Sequence, residues 1–304
     1  MGYNCVVCVK QVPDTKRITG QAMKEDGTVN RAALPAIFNP EDLNALEEAL
    51  KIRDAHGGTV TVVTMGLPAA CEVLRESMFR GADRAILVTD RRAAASDTLS
   101  TSYILSCAVN KLNPDIVLCG RQAIDGDTAQ TGPQLAQKLG FTVLTYVEEV
   151  VSLNNQRITV KRNIGSGWEI AAANTPICLT VMDTANVPRP MAAKRIMKAK
   201  KARAIAEIAK AVDEQLGASA TAEAKTAEVA KRAADLKGKN LLIEQWNLDD
   251  IKADLNWCGR NGSPTKVHRI QSVVLTGGDY KEFPATDEGC ATLVGELIEE
   301  HTIG

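Results

Sequence analysis

Aromatic side chains are scarce in this chain of 304 residues, at 4%, and the formal net charge is only -1. With few stacking platforms and no basic excess, nothing in the composition favours nucleic acid or an anionic membrane surface. Histidine is equally sparse: the three are His56, His268 and His301, in turn-like or tail segments, and they read as solvated. No catalytic triad and no metal cluster is legible, and neither a G-x-G-x-x-G fingerprint nor a Walker loop occurs. No apolar run approaches the roughly 20 residues of a membrane helix. The apolar start of the chain is too short for a signal-peptide core and lacks a small-residue cleavage pattern. The expectation is a cytoplasmic protein with no membrane insertion and no nucleic-acid partner.

What is present is an ordinary globular balance, 45% hydrophobic and 24% charged. The length suits one large domain with an appendage. Eight cysteines are scattered through apolar segments, which fits a reducing compartment. Cys5 and Cys8 form a C-x-x-C inside a strand-like run with no second pair at zinc spacing, so they read as small packing residues.

Short β-branched runs at Cys5–Val9, Val60–Thr64, Ala85–Val88 and Asp115–Leu118 predict parallel strands covered on both faces. Helical patterns alternate with them at Glu41–Arg53, Ala69–Phe79 and Leu99–Lys111. Asn39-Pro40 suits an N-cap followed by proline at the first helical position, and Asp97 caps the third helix. This alternation implies an α/β fold with a three-layer, parallel-type sheet. From Thr145 the pattern changes to an added antiparallel hairpin with an Asn154-Asn155 turn, a Gly165–Gly167 turn and a strand at Ile177–Val181, read together as a meander. Arg195–Lys237 predicts one or two Ala-rich helices broken near Gly217, burying one face. A last helix follows at Glu288–Glu300, after a tail with little periodicity. The expected division is 1–190, 191–240 and 241–304.

The most informative stretch runs from Cys119 to Pro133. It starts at a strand end and enters a helix at Gln134–Leu139, the position where ligands bind in open α/β sheets. Gly120, Gly126 and Gly132 allow close backbone approach, Thr128, Gln130 and Thr131 offer hydrogen bonds, and a helix start favours phosphate. Asp125 and Asp127 count against a simple phosphate cradle unless they cap amides or bind ribose. The alternative is a polar strand-to-helix connection.

Gly120-Arg-Gln-Ala-Ile-Asp125 with Gln130-Thr-Gly132 resembles the AMP- or FAD-binding loop of electron transfer flavoprotein beta subunits. Val160-Lys-Arg162, Gly167-x-Glu169, Thr175-Pro176, Asn186-x-Pro-Arg189 and Ile196-Met-Lys-Ala-Lys-Lys201 follow that family's signature region in order. Cys8-Val-Lys-Gln-Val-Pro13, Gly81-Ala-Asp83 and Gly262-Ser-Pro-Thr265 also fit, so the resemblance covers nearly the whole chain. It implies an adenine nucleotide alpha hydrolase-like α/β domain, a C-terminal helical arm that clasps an FAD-bearing alpha subunit, and a flavin-containing dehydrogenase as partner. Carried over by motif, nucleotide contacts fall at Cys8, Asn39, Pro40, Glu41, Asp42 and Gly66, and through Ala123, Ile124, Asp125, Gly126, Asp127, Thr128, Ala129, Gln130 and Thr131.

The small residues Gly126 and Ala129, and the helix start Asp97-Thr98-Leu99-Ser100-Thr101, resemble the electron-bifurcating branch. That branch implies FAD here, NADH as donor, and ferredoxin or flavodoxin as low-potential acceptor. For residues 97–102 the alternative is a simple capping sequence. The wider alternatives are an AMP-holding structural subunit of a non-bifurcating shuttle, and a nucleotide-binding stress or signalling protein of similar fold. Asn186–Arg195 matches the family's partner-recognition loop, but Ala193-Lys194 stand where many relatives have Leu-Pro. Arg189, Lys194, Arg195, Lys198, Lys200 and Lys201 make the segment basic, which suits an acidic partner face.

Overall fold

The computed structural model describes residues 2–14, 35–217, 220–266 and 281–299. His268, His301, Glu300 and the Ala218–Ser219 part of the expected helix break lie outside them. In chain order the elements are β1 (Tyr3–Cys8), β2 (Gln11–Pro13), β3 (Ala36–Phe38), α1 (Pro40–His56), β4 (Gly58–Met65), α2 (Cys71–Arg80), β5 (Arg84–Val88), α3 (Thr98–Asn110) and β6 (Ile116–Gly120). There follow α4 (Thr131–Leu139), β7 (Thr142–Asn154), β8 (Arg157–Asn163), β9 (Trp168–Asn174), β10 (Ile177–Val181) and α5 (Ala193–Ala199). The remainder is β11 (Arg203–Ala204), α6 (Ile205–Leu216), α7 (Ala222–Gly238), β12 (Leu242–Trp246), α8 (Gly259–Gly262) and α9 (Asp287–Glu299).

A ten-stranded sheet runs in the order β11-β12-β5-β4-β1-β6-β10-β7-β8-β9, and β2 and β3 pair separately as an antiparallel ribbon. From β11 to β7 all neighbours are parallel, while β7-β8-β9 is antiparallel. The chain steps outward from β1 to β4 and β5, then returns to place β6 on the other side of β1. This reversal opens a crevice at the carboxyl ends of β1 and β6, where ligands sit in doubly wound sheets.

The period-two alternation of a strand divides β1 between two cores. Cys5 and Val7 join Leu46, Leu50 and Leu74 on the face covered by α1 and α2. Val6 and Cys8 join Ile104, Cys119 and Leu135 on the face covered by α3 and α4. Each fully buried leucine of this kind contributes about 1.5–3 kcal/mol relative to exposure. The same alternation sends Cys5 and Cys8 to opposite faces, so their C-x-x-C does not converge.

Three expectations about the strands are corrected. Ile177–Val181 is not part of the meander: β10 inserts between β6 and β7, parallel to both, with every residue buried. Its four apolar residues, with Thr180 between them, need cover on both faces, which only a central position supplies. The tail also holds a strand, β12, parallel to β5. Its mixed sequence Leu-Ile-Glu-Gln-Trp shows no clean alternation. The hairpin turn falls at Asn155-Gln156, both at positive φ (49° and 65°), one residue later than expected.

The expectation of one or two helices over Arg195–Lys237 burying one face is also corrected: the segment holds α5, α6 and α7, with β11 between the first two, and only α6 of the Ala-rich pair buries apolar side chains. Ile208 and Val212 of α6 are buried, whereas no residue of α7 is. Arg75 of α2 anchors the pair, its guanidinium donating to Glu207 at 2.9 and 3.0 Å and to the Ala202 carbonyl at 3.2 Å.

Candidate functional site

Three loops meet at the crevice. Lys10 follows β1, Asn39–Asp42 opens α1, and residues 121–130 link β6 to α4. The clasp is built by α1's first residues. Asp42, buried, accepts from the backbone amides of Lys10 (2.8 Å) and Gly120 (3.0 Å). Glu41 accepts from the Arg121 guanidinium (2.7 Å) and the Gln122 amide (2.8 Å). Asn39 donates to the Gln122 carbonyl (2.9 Å) and accepts from the Ile124 amide (3.2 Å). Asn39 stands at the N-cap position, but its side chain makes no capping hydrogen bond to the helix. The expectation of a capping asparagine is corrected: the loop after β6 offered it a carbonyl and an amide, and Pro40 already removes one donor from the helix start.

This explains why α1 hides so many polar groups. Glu41, Asp42, Asn44, Glu47 and Glu48 are all buried. Each faces a loop rather than the apolar core. Asn44 donates to the Asn186 carbonyl at 2.7 Å, and Glu47 takes the Arg189 guanidinium at 2.8 and 3.0 Å. Arg189 also reaches Asp54 at 2.8 Å, and Arg195 donates to the Arg80 carbonyl at 2.9 Å. Two of the cations assigned from sequence to an acidic partner face are therefore engaged within the chain. Beside them Val187, Met191 and Met197 are exposed.

Burial is the strongest influence on Asp42 and pushes its carboxyl up to about 7, against the lowering effect of the Lys10 and Gly120 amides. Cys8, at the end of β1, pairs in register with Cys119 of β6. A hydrogen bond with Cys119, reinforced by burial, holds the Cys8 thiol well above its ordinary range. Burial pushes the Cys5 thiol, on the other face, up to about 12.

The loop itself is held at its near end. Lys10 Nζ lies 2.7 and 2.8 Å from the Asp125 carboxylate oxygens. The Asp127 amide donates to the Ala123 carbonyl at 2.9 Å and Gln122 donates to the Asp127 carboxylate at 3.2 Å. Asp127 and Ala129 are left-handed, with φ of 47° and 52°. A Cβ on Gly120 would lie 2.5 Å from Asp42 Oδ1, so this glycine exists for the approach of α1. A Cβ on Gly126 would meet nothing within 4 Å.

Two helix starts border the loop. At α3 the Asp97 carboxylate accepts from the Ser100 amide (2.9 Å) and from the amide and hydroxyl of Thr265 (3.0 and 2.7 Å). Burial disfavours its charge, but these bonds prevail and hold it below the usual carboxylate range. Ser100 turns away, its hydroxyl donating to the Trp257 carbonyl at 2.9 Å. Thr98 faces the loop and donates to Gln130 at 2.8 Å, joining the two helix starts. Helix α4 begins at Thr131, a turn earlier than expected, and no side chain caps it. Thr64, Arg121 and Gln134 each keep one buried polar atom without a partner among the described residues.

The structure thus brings together Cys8, Asn39 to Asp42 and Ala123 to Thr131, with Thr98 joined through Gln130. Gly66 lies one strand away, its amide donating to the Val88 carbonyl at 3.0 Å. Lys10, Arg121, Ser263 and Thr265 belong to the same network and carry no isolated signal in sequence. For Ser263 and Thr265 the Gly262-Ser-Pro-Thr265 run was the available hint. The Asp97 amide donates to the Ser263 hydroxyl at 2.9 Å.

A doubly wound α/β protein with a loop clasp at its crossover point is the class these features define. Residues 26–237 match the electron transfer flavoprotein domain. The chain is 38% identical over 301 residues to electron transfer flavoprotein subunit beta of Clostridium acetobutylicum, covering 99% of this chain and 100% of the relative. It is 37% identical to the caffeyl-CoA reductase-Etf complex subunit CarD of Acetobacterium woodii, covering 98% and 99%. It is 43% identical to the acryloyl-CoA reductase electron transfer subunit gamma of Anaerotignum propionicum, covering 98% of each. The chain belongs to the electron transfer flavoprotein family, among its beta subunits.

Proposed function

We propose that this chain is the FAD-binding, NADH-oxidising subunit of a heterodimer that bifurcates electrons between a dehydrogenase and a low-potential acceptor, ferredoxin or flavodoxin. The observation that carries the reading is the uncapped start of α4 beside the open space at Gly126, with Thr98 and Gln130 bridging to α3. Free helix N–H groups suit a diphosphate. The unpartnered polar atoms of Thr64 and Gln134 are the kind that a bound nucleotide satisfies. The donor set therefore fits a dinucleotide.

When bound, FAD supplies two-electron exchange with NADH and one-electron exchange with the acceptors. The protein's part is to hold and to orient. Asn39, Glu41 and Asp42 fix the loop through its backbone. Thr98, Gln130 and Thr131 remain to meet the ligand, and Gly126 leaves the flavin room. The relatives from caffeyl-CoA and acryloyl-CoA reductases support a dedicated dehydrogenase as partner. We assign residues 1–190 to the nucleotide domain, 191–240 to partner recognition and 241–304 to the arm on the alpha subunit, where α9 exposes Leu293, Val294 and Ile298.

The test is anaerobic addition of NADH to the purified heterodimer, read in the visible flavin band. Stoichiometric bleaching is expected. No bleaching would contradict an NADH-reactive flavin.

A further inference from the structure

Beside the start of α3 lies a groove that the clasp does not use. Leu99, Trp257 and Pro264 form its apolar walls, and Asp254, Asn256 and Asn261 add polar groups. Trp257 is 52% exposed although its backbone is fixed. Its carbonyl accepts from Ser100, and a Cβ on Gly262 would lie 2.2 Å from its carbonyl carbon. Tyr103 packs beside it, with ring centroids 6.4 Å apart. Lys138 Nζ lies 5.5 Å from the Tyr103 centroid and 6.0 Å from that of Trp257. The Tyr103 hydroxyl accepts from the Asp254 amide at 2.8 Å, so the whole corner is tied to α3.

Trp257 thus presents a rigid, half-exposed indole in a concave wall. Its π-face suits a planar base. Side-chain amides suit the base edge, and an acidic side chain suits a ribose diol. The Lys138 ammonium adds the positive charge that a diphosphate requires. The groove adjoins the clasp directly. Leu99 follows Thr98, which holds Gln130, and Ser263 on the groove wall accepts from the Asp97 amide.

We propose that this groove binds the ADP-ribose end of the NADH donor, with adenine stacked on Trp257. The inference rests on the reading of the clasp as an NADH-reactive flavin site and names where the second dinucleotide docks. Adenine stacks on the indole, Asn256 and Asn261 meet its edge, and Asp254 meets the ribose. Trp257 is a binding residue and takes no part in electron transfer.

The test is calorimetric titration of the purified heterodimer with ADP-ribose, which has no nicotinamide and undergoes no redox chemistry. Flavin content is measured before and after. Saturable binding without flavin release is expected. Trp257→Ala should weaken binding about tenfold, the scale of a lost base–aromatic stack, while Trp257→Phe restores most of it. In turnover, Trp257→Ala should raise the KM for NADH with little change in kcat. Equal binding by wild type and Trp257→Ala, no binding by wild type, or flavin release on titration would each overturn the proposal. Thermal melts establish that the variant is folded, as its exposed side chain leads one to expect. One flavin per heterodimer would overturn the FAD reading instead, and the ADP-ribose titration would still decide the groove.

Discussion

Asn39 opens α1 but bonds across the crevice to Gln122, its Nδ2 donating to the Gln122 carbonyl at 2.9 Å. One side chain thus holds the loop after β6 in register with the start of α1. Asn39→Ala removes this bond and the one from Ile124, and leaves a half-buried carbonyl and amide unpaired. The expected cost is about 1–3 kcal/mol. A lower denaturant midpoint and faster loss of bound nucleotide check it. An unchanged nucleotide off-rate would show that the clasp does not hold the ligand.

Asp42 makes stability depend on pH in a definite direction. Its folded-state carboxyl lies at about 7, above the ordinary 3.8, because burial opposes its charge. Between those values the folded chain keeps a proton that the unfolded chain releases. This contribution is complete below the unfolded value and is lost as pH rises through the folded one. In Asp42→Asn the titration disappears, and the amide must turn one N–H toward the donor of Lys10 or Gly120. The wild-type advantage over Asp42→Asn should therefore shrink between about pH 5 and about pH 8. Denaturant unfolding at both values measures it.

The two glycines of the loop region should behave oppositely. In Gly120→Ala the new Cβ would press on Asp42 Oδ1 at 2.5 Å and on the start of α1, at a cost of about 1–3 kcal/mol. In Gly126→Ala the Cβ meets nothing within 4 Å, so the change should fall within about 0.5 kcal/mol. Gly126→Leu should leave the melting temperature nearly unchanged yet lower the FAD content, by filling the space proposed for the flavin. Flavin content per folded heterodimer, alongside a thermal melt, separates the two effects.

Much of this was legible in sequence and some could not be. The strands β1, β4, β5 and β6 announce themselves by short β-branched runs, and Asp97 by its position before a helical pattern. The place of β10 depends on partners in β6 and β7, which local periodicity does not specify. The clasp is harder still. Asn39 and Gln122 are separated by 83 positions, and a polar residue before Pro40 has an ordinary local explanation in capping. Glu41 and Asp42 look like favourable first-turn acids for the helix dipole. Only the folded chain shows that they serve two other loops.

Arg189 is the basic residue whose role changes most. With Glu47 and Asp54 both bound to it, its charge is balanced within the chain. Arg189→Ala should cost about 1–3 kcal/mol in stability, because it leaves the buried Glu47 carboxylate without its cation. It should also release the 186–192 loop from α1. Slower electron delivery to the dehydrogenase with unchanged flavin content is the expected pattern in stopped-flow assays. Unchanged delivery would detach that loop from partner recognition.

The central claim is that the clasp at β1 and β6 holds FAD. Its most direct test is to denature the purified heterodimer and quantify the released nucleotides by chromatography. The account predicts two FAD and no AMP per heterodimer. One FAD with one AMP would contradict it and leave this chain as the structural half of an electron shuttle.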